Sequence, residues 1–179
     1  LLTRLLGRRR SWLLLAQAVV VAGLAGMAFA DPRQALGPIV ACALPVALGS
    51  ATQDIALDAF RIESAEVRMQ GALAAAYQTG YRLAMIWAGA GVLWIAARTQ
   101  SAAGYDNGAW CTAYLVMAAS MVVGMLTVLL SPEPAPLALA PVQKLSAWLR
   151  GAVVEPFADF WRRYHWQAGL ILALIAVYR

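Results

Sequence analysis

The sequence predicts an all-α membrane protein with four full transmembrane helices and the start of a fifth. Three observations carry this. The 179 residues are 62% hydrophobic and 13% charged, with a mean hydropathy of +0.66. Soluble domains run at about 45–50% apolar and about 25% charged. The apolar residues fall in long blocks rather than in one alternating pattern, and four blocks reach the roughly 20 residues that a helix needs to cross hydrocarbon.

The blocks run from Trp12 to Ala30, Leu36 to about Phe60, Gly71 to Ala97 and Ala109 to Leu130. A fifth starts at Trp166 and is still apolar at Arg179. Its roughly 14 residues climb about 21 Å, short of a crossing. Leu1 opens in mid-pattern without an initiator methionine, so the expectation is an internal fragment of a larger protein. Arg8-Arg9-Arg10 and Ala28-Phe29-Ala30 around the first block imitate a signal peptide, but three further spans argue against that reading.

Basic residues orient the spans. Arg4, Arg8, Arg9, Arg10, Arg61, Arg68, Lys144, Arg150, Arg162 and Arg163 fall on one side, and only Arg33 and Arg98 on the other. The positive-inside rule makes the first side cytoplasmic. The net charge of +5 then reflects anchoring, and no nucleic-acid partner is expected. The outer connections carry the turn signals Asp31-Pro32 and Asp106-Asn107-Gly108. After the fourth span, Ser131-Pro132-Glu133-Pro134-Ala135-Pro136 stops the helix. Val142, Leu145, Trp148, Leu149, Ala152 and Val153 then share one helical face, and Phe157, Phe160, Trp161 and Tyr164 form a second stripe. These read as amphipathic helices on the cytoplasmic interface or, equally, as segments packed on other loops.

Cys42 and Cys111 lie within spans without metal spacing and read as packing residues. His165, the only histidine, reads as interfacial. With no phosphate loop, zinc motif or nucleophile–base pair, neither an enzyme nor a cofactor is expected.

Polar groups inside spans carry the functional reading. Asp54, Asp58 and Arg61 stand at i, i+4 and i+7 and share a face. Counted from Phe60, Asp54 lies about 9 Å into the span, and Asp58 near its mouth. In the third span Gln78 and Arg82 stack one turn apart beside Tyr77 and Tyr81. Counted from Gly71, Arg82 is about 16 Å in and Gln78 about 10 Å. Neighbouring antiparallel spans would bring Asp54 against Gln78 or Arg82. Ionisable groups are costly in hydrocarbon and need a partner or water. They form either a buried network locking the two spans or a polar cavity in which a carboxylate takes up a proton and Arg82 holds an anionic group. Asp58, Arg61 and Glu63 read as a gate or latch at the mouth. Gly80, Ala84 and Ala88, and likewise Ala22, Gly26 and Ala30, offer small-residue faces for close helix approach.

Gly7-Arg8-Arg9-Arg10-Ser11-Trp12, the segment Ala51 to Glu63, Gly80-Tyr81-Arg82-Leu83-Ala84-Met85, Pro132-Glu133-Pro134 and Glu155 to Phe160 together resemble the AmpG family of muropeptide permeases. The second-span motif recurs more loosely in acetyl-coenzyme A transporters. The resemblance implies a partial major facilitator-type helical bundle. Residues 1–134 would belong to its N-terminal half as helices three to six, 135–165 to the central cytoplasmic loop, and 166–179 to the start of helix seven. It further implies a multi-pass protein of the bacterial inner membrane that imports anhydromuropeptides with protons by alternating access. The substrate-binding candidates are Arg82, Gln78, Tyr81, Tyr77 and Arg179, and Asp54 is the candidate for proton coupling. Asp58, Arg61, Glu63, Arg8 and Arg9 are the candidates for gating. A carrier of another anionic metabolite such as acetyl-coenzyme A, a membrane-embedded enzyme and a non-transporting scaffold remain as rivals.

Overall fold

A computed structural model of the chain describes residues 7–101, 104–134 and 150–178. Among these residues every element is a helix and there is no strand. Two units are present, Leu1–Ala135 and Pro136–Arg179.

In the first unit α1 (Arg8–Ala28) is followed by α2 (Leu36–Ser64), a 3-10 turn at Val67–Met69 and α3 (Gln70–Ile86). A π-helical turn at Trp87–Gly91 leads into α4 (Val92–Thr99), and α5 (Asn107–Leu130) completes the unit. The run Val67–Thr99 is one span, so the unit holds four helices of 21, 29, 33 and 24 residues that are long and apolar enough to cross a membrane. Their ends differ from the expected ones. The first starts at Arg8, not Trp12, and the second runs on through Ser64, not Phe60. Hydropathy marks where a helix enters hydrocarbon, whereas backbone hydrogen bonding continues through the polar turns at its mouth. Arg61 and Glu63 are therefore helical residues, and the inner connection shrinks to Ala65, Glu66 and one tight turn.

Helix α1 is the most enclosed of the four and packs on both α2 and α5, while α4 packs on α5. Close approach to α2 depends on glycine. A Cβ on Gly26 would lie 2.6 Å from Cys42 Sγ, and one on Gly49 would lie 3.2 Å from the Ala16 carbonyl. Missing side chains thus let the two backbones meet. Small apolar clusters sit toward the two ends of the bundle: Leu13, Ala56 and Val128 at the basic end, and Ile95, Ala96 and Ala113 at the far end. The other expected stripe differs. Nothing lies within 4 Å of a Cβ built on Gly80, and α3 holds no buried residue.

In the second unit a π-helical turn at Arg150–Val154 leads into α6 (Glu155–Tyr164). His165, at φ 46, turns the chain into α7 (Trp166–Tyr178). Val142, Leu145, Trp148 and Leu149 of the expected first amphipathic stripe, together with Arg4, Lys144 and the candidate Arg179, lie outside the described residues.

Candidate functional site

The densest polar construction lies at the basic end of the first unit. Gly7 precedes α1 at φ 89, a left-handed conformation suited to glycine. It offers no side chain to cap the exposed N–H groups of the first turn. Glu133, which follows α5, takes that role. Its carboxylate accepts the Arg9 N–H at 2.7 Å and the Arg10 N–H at 3.2 Å. Negative charge is favourable at a helix N-terminus. The Arg9 guanidinium grips Glu63 of α2 with two donors, Nε at 2.9 Å and Nη2 on the other oxygen. Arg8 stands 3.6 Å from the same carboxylate, whose side chain is only 9% exposed. Paired donors on a nearly enclosed carboxylate make the Arg9–Glu63 bond the strong one, while the more open Arg8 adds little. Arg10 donates to the carbonyls of Val128 and Leu129 at the end of α5, where a cation satisfies open acceptors. Three helix ends are thus tied by one run of three arginines. The Leu13, Ala56 and Val128 cluster packs at this end of the same helices.

The expected gating group divides in two. Glu63, Arg8 and Arg9 meet as one cluster. Asp58 and Arg61 instead pair with each other at 3.3 Å. At about 100° per residue Arg61 and Glu63 point to opposite sides of α2. Arg61 also stands 5.5 Å from the centre of the Tyr77 ring, and its Nε is buried without a hydrogen-bond partner among the described residues. Tyr77 is therefore where the polar faces of α2 and α3 meet.

The expected contact of Asp54 with Gln78 or Arg82 is not made: among the described residues no hydrogen bond or ion pair joins them. Asp54, Gln78, Tyr81 and Arg82 are all exposed side chains. The longer helices add polar turns at the mouth, which lengthen the distances to the helix ends and leave the depths in hydrocarbon as counted. Asp54 is about 15 Å from the end of α2 and Arg82 about 22 Å from the start of its span. A guanidinium that deep needs water or a partner, so this face of α3 is built to be covered or wetted rather than to meet lipid.

At the far end Asp106 caps α5, accepting the Gly108 N–H at 2.9 Å, the Ser101 N–H at 3.1 Å and the Ser101 hydroxyl at 2.8 Å. The Ser101 bonds, with those from Gly108 and Ala109, hold its carboxyl below the usual carboxylate range. Tyr105 donates to Asn107 Oδ1 at 3.0 Å and lies 3.5 Å from Asp31, with Arg33 4.5 Å from its ring centre. Burial, then the Asp31 charge, pushes its phenol up. Tyr105, Asn107, Trp110, Cys111 and Tyr114 line a cavity of about 230 Å³. Among the described residues no group of three or more His, Cys, Asp and Glu side chains is placed to hold a metal, and both cysteines are free.

Glu133, Arg10 and Gln17 went unassigned by sequence reasoning. An acid inside Pro132-Glu133-Pro134 directly after a span was the available signal for the first, and the third arginine of the run for the second. Gln17 is an amide in mid-span, 4% exposed, with its Oε1 unpartnered. A Cβ on Gly124 would lie 3.2 Å from its Nε2, so that glycine leaves its room.

Known proteins resemble the chain in sequence. Over 173 residues, 97% of this chain, the sequence is 37% identical to the anhydromuropeptide permease of Escherichia coli K12. It is 28% identical over 170 residues, 94% of the chain, to a Rickettsia felis protein named for AmpG (AmpG 4), of which 39% is covered. An uncharacterised protein of Haemophilus influenzae is 36% identical over 130 residues, 72% of the chain and 28% of that protein. No family model and no solved structure matches the chain. The alignment covers 32% of the Escherichia coli permease. The chain is similar in sequence to the anhydromuropeptide permease of Escherichia coli K12 and to a Rickettsia protein named for AmpG, and it spans about a third of the length of the first of these relatives.

Proposed function

We propose that this chain is part of a carrier, not an enzyme, that brings anhydromuropeptides across the bacterial inner membrane together with protons. The observation that carries the reading is the alignment of 97% of the chain, at 37% identity, with a protein named for that cargo. In this reading residues 1–134 belong to the N-terminal half of a major facilitator-type bundle, 135–165 to the central cytoplasmic loop, and the helix from 166 opens the other half. Alternating access exposes one central site to each side in turn.

The exposed intramembrane face supplies the chemistry. Muropeptides carry peptide carboxylates, and Arg82 neutralises one, with Gln78 and Tyr81 as neighbouring donors and Arg179 as a further cation. Asp54, an exposed carboxylate within the second span, is the group that carries the proton. Asp58, Arg61 and Tyr77 line the inner mouth. The Arg8–Arg9–Glu63 cluster is a latch at the basic end.

The test is uptake of labelled muropeptide by the full-length protein in vesicles under an imposed proton gradient, with coenzyme A thioesters as competitors. Uptake should follow the gradient and be indifferent to the thioesters. Competition by them moves the cargo to acyl-coenzyme A, and uptake that ignores the gradient removes the proton.

A further inference from the structure

We propose that α6 lies flat on the cytoplasmic leaflet. Its aromatic face enters the boundary between headgroups and acyl chains, and its arginines meet anionic lipid phosphates. At about 100° per residue, Phe157, Phe160, Trp161 and Tyr164 occupy one arc of the helix. Glu155, Asp159, Arg162 and Arg163 occupy the opposite arc. The aromatic arc is open: Phe157 is 66% exposed, Trp161 58% and Tyr164 43%. Phe160 and Tyr164 pack in a tilted pair, with ring centres 5.1 Å apart and 46° between their planes, so two of the four side chains already form one apolar patch.

Charge and position name the occupant. On the polar arc Asp159 is taken by Arg163 at 2.9 Å. Arg162 makes no ion pair among the described residues, and Arg150 stands exposed just upstream. Both cations are available to phosphate. Long arginine stems let the charge reach headgroups while the aromatic side sinks. The helix is held where a bilayer surface would be. Tyr164 is followed by one turn residue, His165 at φ 46, and then by α7, thirteen residues without a charge. Trp161, Tyr164 and Trp166 so fall at the mouth of an apolar helix, the level at which Trp and Tyr collect in membranes. A short helix with one aromatic face, one charged face and low overall hydrophobicity suits the interface and not the hydrocarbon interior.

Spin labels placed singly by Phe157→Cys, Trp161→Cys, Glu155→Cys and Asp159→Cys test this in the full-length protein in nanodiscs. Labels at 157 and 161 should be reached by oxygen and shielded from a water-soluble nickel chelate, and labels at 155 and 159 should show the reverse. Because each label on the aromatic face removes an anchor, unlabelled protein supplies a second readout. Amide exchange over 155–164 should be slow in discs containing phosphatidylglycerol. That protection should be lost in purely zwitterionic discs or in an Arg150→Gln/Arg162→Gln variant. If labels at 157 and 161 escape both reagents, the face is packed on protein or on a second copy, and the proposal is overturned. It is overturned equally if the chelate reaches all four sites, or if protection ignores lipid charge. None of these readouts depends on what the carrier transports.

Discussion

Glu133 stabilises α1 from more than a hundred positions along the chain. Its carboxylate meets two N–H groups that Gly7 cannot serve. Losing an N-terminal cap costs about 1 kcal/mol. Glu133→Ala should therefore speed amide exchange at Arg9 and Arg10 and loosen the join of α1 to α5, while Glu133→Gln, which keeps an acceptor but loses the charge, should fall between. Equal exchange in all three proteins would show that water caps the helix. Asp106 makes a pH-dependent counterpart at the far end. Its pKa is depressed in the folded chain, so its contribution is full above the ordinary carboxylate range and is lost as pH falls through the lowered value. The protection of the Gly108 and Ser101 amides, read against the intrinsic exchange rate at each pH, should accordingly be high near neutrality and fall in acid, and Asp106→Asn should flatten that dependence. Asp106 was visible in the sequence as a turn residue because its partners are local. Glu133 was not assigned, because its partners stand more than a hundred positions away and no local pattern encodes them.

Helices α1 and α2 approach through absent side chains, and the two glycine-bearing stripes behave differently. In the α1 stripe a Cβ on Gly26 would lie 2.6 Å from Cys42 Sγ, and one on Gly23 beside it would strike Val46 and come within 3.0 Å of the Cys42 carbonyl, whereas at Gly80 it meets nothing. Overpacking a tight contact costs about 1–3 kcal/mol, while Gly to Ala on an open helical face gains up to about 1 kcal/mol. Gly23→Val should thus lower the thermal midpoint in detergent, and Gly80→Ala should leave it level or raise it. A reversed order would mean that α3, not α2, is the close neighbour. Spacing alone gave the two stripes equal standing, since small residues every fourth position look alike whether or not a helix faces them. The spans themselves were legible because hydrocarbon demands long apolar runs. Their ends were not, because Arg8 and Glu63 continue the helical hydrogen bonding while already carrying charge. Nor did composition mark the π-helical turn at Trp87–Gly91, where Gly91 leaves room for the Trp87 ring: a Cβ there would lie 2.8 Å from it.

The arginines of the first unit divide into two kinds of work, and variants separate them. Arg9 is satisfied by a nearly enclosed carboxylate and belongs to the closed basic end. Removing one member of such a pair strands the other charge, so Arg9→Gln and Glu63→Gln should each destabilise the bundle, and the double variant should cost less than their sum. Additive losses would mean that the two side chains act independently. Arg82 has no such partner among the described residues: it is exposed, about 22 Å from the start of its helical run, where only water, cargo or another part of a full-length carrier can satisfy it. Its removal should spare the fold. In the full-length protein Arg82→Ala should insert normally, keep its thermal midpoint and lose muropeptide uptake, while Arg82→Lys, with the charge but not the planar fork, should keep only part of it. Arg9→Gln should show the other pattern, a lowered midpoint with cargo affinity retained. Normal uptake by Arg82→Ala would remove that side chain from the cargo site. A lowered midpoint would make it instead a structural lock between the second and third spans.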